Sequence, residues 1–307
     1  MRGSDIKFSE LEEVPLLNGN FTSRPIDTIK EDLFNPGTFL YTSVSALMQF
    51  TPGEPVSVLL GSTEYKRPFV FRNGPSDVAR FTLIGDVLQY QEKKLLIADF
   101  LANCIREYDY ETDNVTTFLG VCNQSTLQSR ALLPEQRVSR FSQVMVAPFN
   151  LQHVKKFNYL LFADFGYKQL LKYNFSSETI ELLDSSLYEL LPNICSFLVN
   201  GDGTKLYAAH SYGLSVVDLE TKKVRLLVGE RVNDRGDANP SFVAGSFKRA
   251  SIGKLYTLKW IYDDEVIAAT GRVEGVITFD LRRKMVSTYC IGKYSYDLKY
   301  IFVSLKA

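Results

Sequence analysis

The chain has 307 residues, 45% of them hydrophobic, with 35 basic and 35 acidic side chains and a formal net charge of zero. That balance offers no electrostatic attraction for nucleic acid or an acidic membrane surface, and no apolar run approaches the roughly 18 residues a membrane helix needs. Tyr (17) and Phe (21) are abundant beside a single Trp, and with Val, Thr and Ile these are residues that suit strands.

From the N-terminus, residues 1–4 (MRGS) read as an expression leader ahead of a single domain over 5–307. The start MRGSDIKF has no apolar h-region, and where a leader has replaced a native signal that lack carries no weight. Residues 6–19 (IKFSELEEVPLLNG) match 214–229 (LSVVDLETKKVRLLVG) and read as the outer two strands of a blade. Five self-similar segments follow, at 38–61, 95–120, 160–184, 205–229 and 265–292. Each has an apolar strand, a small polar turn, a second strand, a tight turn and a third strand. A further strand is predicted upstream of each, at 27–33, 83–89, 142–148, 196–200 and 254–261. One short helical turn is predicted over 185–191, ending at Pro192. Residues 296–307 supply the inner strands missing from the N-terminal segment. Four antiparallel strands recurring every roughly 45–60 residues is propeller spacing. The expected fold is therefore all-β: a six-bladed β-propeller of four-stranded antiparallel blades, closed by strands from both termini so that no sheet edge is left open at the join.

The wording of the blade at 95–120 narrows this. Ala98-Asp99, Asn103, Ile105-Arg106, Asp109 and the run VTTFLG over 115–120 resemble an NHL repeat. The Gly/Asp-rich connections also resemble that family's, with GPSDVARF at 74–81, Ser139-Arg140-Phe141 and GDANPSFVAGSF at 236–247. The resemblance implies a rigid scaffold whose loops bind protein or a small ligand. It also raises two alternatives. Some NHL propellers bind single-stranded RNA on a basic face, and here Arg130, Arg137, Arg140, Lys155 and Lys156 fall in one loop region. Some six-bladed propellers are metal-dependent hydrolases or lyases. The related peptide-amidating lyase uses several His, whereas this chain has only His153 and His210.

Cys104 and Cys122 flank a hairpin turning at 111–114. Positions summing to about 225 or 226 face each other there, which makes the pair cross-strand neighbours within disulfide reach. Extracellular members of the resembled family carry a similar pair. Cys195 and Cys290 fall in different blades and read as buried thiols. Four sequons, at Asn20, Asn114, Asn123 and Asn174, join the Cys pair in pointing to a secreted protein or an ectodomain.

The ends of the second strands form a ring of homologous positions, Ser43, Asp99, Asp164, His210 and Thr270. Two carboxylates and a His there are candidates for a binding or metal site, or for groups that satisfy backbone amides. A second ring, Asp109, Asn174, Asp218 and Asp280, precedes tight turns and reads as Asx-turn residues. Arg235-Gly236-Asp237, in the connection over 230–246, is a candidate adhesion triplet whose Gly and Asp also suit an exposed turn. No phosphate-binding loop, CxxC pair or nucleophile elbow is present. The sequence thus predicts a non-enzymatic binding module with no cofactor, no assigned metal or catalytic set, and function in the loops at 62–80, 121–140 and 230–246.

Overall fold

The structure, a computed structural model, describes residues 29–63, 70–122, 130–184, 187–191, 193–211, 213–229, 242–262, 264–271 and 276–289. These form five antiparallel sheets arranged as propeller blades. Blade 1 holds β1 (Ile29–Glu31), β2 (Phe39–Ser43), β3 (Ala46–Phe50) and β4 (Ser57–Gly61). Blade 2 holds β5 (Gly74–Pro75), β6 (Ile84–Gln91), β7 (Lys94–Asp99), β8 (Cys104–Asp109) and β9 (Asn114–Leu119). Blade 3 holds β10 (Arg137–Ser139), β11 (Pro148–Val154), β12 (Tyr159–Asp164), β13 (Gln169–Asn174) and β14 (Thr179–Leu182). The helical turn α1 (Leu187–Leu190) leads into blade 4, made of β15 (Ser196–Val199), β16 (Lys205–His210), β17 (Gly213–Asp218) and β18 (Val224–Gly229). Blade 5 holds β19 (Gly245–Ser246), β20 (Leu255–Tyr262), β21 (Val266–Gly271), β22 (Val276–Asp280) and β23 (Met285–Tyr289).

The sequence predicts six blades, and the described residues form five. The sixth is expected from residues 6–19 and 296–307, which lie outside the described residues. One inner strand also differs. The apolar run over 142–148 reads as a strand, but the inner strand is β11, starting at Pro148. Val144 and Met145 are buried in the core on the irregular connection that enters β11 instead. The Val146 N–H is taken by the Asp164 carboxylate rather than by a ladder.

Blades 2, 3 and 5 each gain a fifth, outermost strand. β5, β10 and β19 pair antiparallel with β9, β14 and β23. The long connections are therefore not free display loops throughout. Their later parts are zipped to the outer edge of the next blade, because an unpaired edge strand exposes a row of backbone donors and acceptors.

Among the described residues the core lies between blades, in four clusters, one for each pair of blades consecutive in the chain. Blades 2 and 3 share Leu96, Ala98, Ile105 and Leu119 with Leu160, Phe162, Leu171 and Ile180. Leu95 and Ile97, the alternate residues of β7, face blade 1 instead. Because both faces of a blade are covered, the second strands read as continuous apolar runs rather than alternating ones.

Around the axis the inner strands are tied by a relay in which one blade's side chain accepts the next blade's backbone N–H. Asp86 Oδ2 accepts from Leu151 (2.7 Å), Asn150 Oδ1 from Phe197 (2.5 Å) and Ser196 Oγ from Leu258 (3.2 Å). At the first junction Lys30 Nζ donates to Asp86 Oδ1 at 3.0 Å. Neighbouring blades are not hydrogen-bonded as one sheet, so these polar contacts fix their angular register where apolar packing alone is non-directional.

Candidate functional site

In an antiparallel blade whose first strand is entered from the inter-blade connection, the turns between second and third strands share a face with those connections. The turns between third and fourth strands lie on the opposite face. We call these the upper and lower faces.

The first predicted ring lies on the upper face, at or next to the ends of β2, β7, β12, β16 and β21. Asp99, Asp164, His210 and Thr270 are each buried. They are not gathered into one site. Asp99 accepts from the backbone N–H of Thr82 (3.0 Å) and from the Thr82 hydroxyl, and pairs with Arg106 at 3.2 Å. Asp164 accepts from Val146 and Tyr167 N–H, both at 3.0 Å. His210 Nε2 shares a hydrogen bond with Ser215 Oγ at 2.8 Å, and Thr270 Oγ1 shares one with Thr257 Oγ1 at 2.7 Å. Among the described residues no three His, Cys, Asp or Glu side chains come together as a metal site. The physical reason is that these positions belong to separate blades, and each is taken up by partners in its own blade or in the connection entering it.

Burial sets the charges in this ring. It pushes the Asp164 carboxyl up to about 6, with the N–H donors of Tyr167, Val146 and Gly166 pulling the other way. Burial also raises Asp99, opposed by the Arg106 guanidinium and the Thr82 donors. Arg106 is fully buried. It donates to Asn73 Oδ1 and to the carbonyls of Arg80 and Arg72, and it lies 4.2 Å from the Phe81 ring centre. This guanidinium therefore fastens the connection over 72–81 to blade 2. In sequence its only signal is the Ile-Arg pair of the repeat.

The second ring sits on the lower face and closes four Asx turns. Asp109, Asn174 and Asp218 each accept from the N–H groups two and three residues on, and Asp280 accepts from Arg283 N–H. Four residues after each comes a residue of positive φ, namely Asp113, Glu178, Lys222 and Lys284. Asn114 and Asn174, the described sequon residues, are both at these lower-face turns. Asn20, Asn123 and Arg235-Gly236-Asp237 lie outside the described residues.

The Cys104–Cys122 disulfide is present on the upper face, with Cα atoms 5.0 Å apart. The ladder differs from the expected register. It ends with Ile105 opposite Leu119, after a bulge at Ile105/Arg106. Gly120, at φ +81°, then bends the chain back so that Cys122 reaches its partner. Cys195 is a half-buried free thiol whose Sγ lies 3.3 Å from Asn193 O, and Cys290 lies outside the described residues.

The basic run does not form one patch. Arg137 pairs with Glu181 (3.0 Å) and Arg140 with Glu178 (3.4 Å) at the outer edge of blade 3. Lys155 and Lys156 belong to the turn between β11 and β12, where Lys156 pairs with Glu220 at 2.6 Å.

What sequence reasoning missed on the upper face is aromatic. The Ala-Asp-Phe triplet occurs at 98–100 and again at 163–165, and in both the Phe follows the buried Asp. Phe165 is 62% exposed and Leu101 37% exposed. The Phe165 ring centre lies 5.9 Å from that of Phe100 and 6.2 Å from that of Phe149 on β11. The turn presenting Phe165 is fixed: Phe165 N–H donates to Ala147 O and Gly166 N–H to Val146 O. A Cβ on Gly166 would fall 2.4 Å from a Val146 methyl, so only glycine fits.

No family model and no curated protein matches the chain. Solved structures share its fold. A nidogen/laminin complex structure aligns with TM-score 0.53 and 9% identity over 83% of this chain and 76% of the other. A Bacteroides thetaiotaomicron protein of unknown function aligns with TM-score 0.55 and 9% identity, covering 88% of this chain and 59% of its own length. The extracellular domain of a putative hybrid two-component system from the same organism aligns with TM-score 0.51 and 13% identity, covering 86% of this chain and 27% of the other. At such identities the likeness is one of fold: the chain is a β-propeller. No helix among the described residues is long and apolar enough to cross a membrane.

Proposed function

We propose that this chain is a non-enzymatic, NHL-like propeller that binds a protein partner through its upper face, as part of a secreted protein or an ectodomain. The observation that carries the reading is the Phe165–Phe100–Phe149 cluster. A large aromatic held exposed by a rigid turn costs hydration free energy that a partner's apolar side chain recovers. Aromatic anchors of this kind dominate protein interfaces. The Cys104–Cys122 bridge supports an oxidising compartment. Glycans at Asn114 and Asn174 would sit on the lower face and leave the aromatic face uncovered. In this reading a sixth blade from the two terminal segments completes the ring, and Arg235-Gly236-Asp237 is a further candidate contact. The neighbours that include a nidogen/laminin complex and an extracellular domain fit this class of role.

The test is binding of the full chain to a panel of purified extracellular matrix proteins, laminin included, compared with Phe165→Ser. Phe165 is exposed, so the variant should melt like the parent. The expected result is a matrix ligand whose binding weakens by roughly 2 kcal/mol in the variant. No binder in the panel, or a binder indifferent to Phe165→Ser, removes this reading.

A further inference from the structure

The outer edges of the blades are not equivalent. In blades 2, 3 and 5 the lower end of the outermost long strand is covered by a short antiparallel strand of the chain itself. The covered positions are homologous, because each begins directly after the positive-φ residue of the lower-face turn. They are Asn114 and Val115 of β9, Thr179–Glu181 of β14, and Met285 and Val286 of β23. In blade 4 the same positions are Lys223, Val224 and Arg225, following Lys222 at φ +60°. On their outer side, away from β17, no described segment pairs with them: β18 is the terminal strand of its sheet. The connection entering blade 4 forms α1 instead, and its Leu187 and Leu191 are spent in the core between blades 3 and 4.

The covered edge of blade 3 shows what chemistry such a strand carries. There Arg137 on the covering strand lies opposite Glu181 and pairs with it at 3.0 Å. Arg225 stands at the position of Glu181, so the charge at this edge is reversed. Lys223 and Arg225 are both exposed, sit two residues apart and so lie on one face of the strand. Neither side chain has an ion-pair partner among the described residues. Val224 points the other way, against the core between blades 3 and 4.

We propose that the lower outer edge of blade 4, Lys223–Arg225, is a docking site for an extended acidic segment of a partner protein, which adds to β18 as an antiparallel fifth strand. Backbone hydrogen bonds supply the pairing, and carboxylates two residues apart meet Lys223 and Arg225. This site is separate from the aromatic cluster, which lies on the opposite face.

The probes are capped peptides that alternate Glu with Val, the same peptide N-methylated at alternate backbone positions, and a Lys/Val counterpart. Their binding to the full chain is measured by fluorescence anisotropy at low and high salt. The Glu peptide is expected to bind. Its affinity should fall about tenfold in Lys223→Glu/Arg225→Glu, a loss of about 1.4 kcal/mol, while that variant gains the Lys peptide. Both substituted side chains are solvent-exposed, so folding is preserved and is checked by the thermal melt. The N-methylated peptide keeps the charge and loses donors, and it should fail to bind. Absence of Glu-peptide binding, equal binding of the N-methylated peptide, or indifference to the double charge reversal would each overturn the proposal.

Discussion

Asp99 and Arg106 form an ion pair at 3.2 Å in which both side chains are fully buried. The pair joins the end of β7 to the middle of β8, and through Arg106 it also holds the connection over 72–81. A buried pair of this kind costs much of its Coulomb gain in desolvation, but removing one partner strands the other charge. Arg106→Met is therefore expected to lower stability by about 3–5 kcal/mol in denaturant unfolding. The double variant Asp99→Asn/Arg106→Met should recover part of that loss. Hydrogen exchange should rise first at the amides of Arg72 and Arg80, which bond each other's carbonyls and whose carbonyls Arg106 holds. Uniform loss of protection over all blades would contradict this assignment.

Asp164 gives the protein an unusual pH term. Its carboxyl moves from 3.8 to about 6 on folding because burial disfavours the charge. The folded state therefore holds the proton more tightly than the unfolded chain does. Between about pH 4 and pH 6 this group's contribution to stability falls as pH rises, by about 3 kcal/mol in total. Asp164→Asn removes the term. Its stability, measured by denaturation at stepped pH, should climb more steeply from pH 4 to 6 than the parent's. Parallel profiles would reject the buried-proton account.

His153 acts with the opposite sign. It lies on β11, its two ring nitrogens are buried, and neither has a hydrogen-bond partner among the described residues. Its ring meets Phe175 edge-on at 5.2 Å. Burial and the nearby Lys155 push its pKa below the usual 6.5. The folded state thus prefers the neutral ring, and stability from this group is full above pH 6.5 and is lost as pH falls below it. His153→Phe should lose that acid sensitivity and match or exceed the parent at pH 5. If the variant instead unfolds more readily at pH 5 than the parent, the ring carries a contact absent from this structure.

The legible part of this molecule was the part that repeats. The strand–turn–strand period placed the second, third and fourth strands of all five described blades. The Asx residues Asp109, Asn174, Asp218 and Asp280 could be read because a tight turn demands a local acceptor whatever surrounds it. The Cys104–Cys122 pair was legible from hairpin pairing, though a bulge and Gly120 altered the register beneath it. Features that depend on non-local packing were not. The run Val144–Val146 looks like a strand in composition and becomes one or not according to whether Asp164 captures its N–H. The fifth strands β5 and β10 are too short to show a period. The ring of Asp99, Asp164 and His210 could be located but not interpreted, since a carboxylate that binds ligand and one that binds backbone N–H look the same in sequence. Phe165 was missed because one aromatic among many gives no sign of exposure.

The disulfide makes the last prediction. It closes a loop of 18 residues around the β8–β9 hairpin, and a loop of that size restricts the unfolded chain by about 3 kcal/mol. Cys104 is fully buried while Cys122 is partly exposed, so reductant attacks from the Cys122 side. Reduction should lower the melting temperature of the parent and leave Cys104→Ala/Cys122→Ala unmoved. The double variant should melt near the reduced parent, since alanine leaves no buried polar group at 104. Because Gly120 N–H also bonds Arg140 O at 2.6 Å, the hairpin end keeps a second tether after reduction, and blade 2 should remain folded. Hydrogen exchange of β8 and β9 in the reduced protein decides it: protection retained in the strands with loss confined to 120–122 fits the entropic role, whereas loss along both strands would make the bridge necessary to the blade itself.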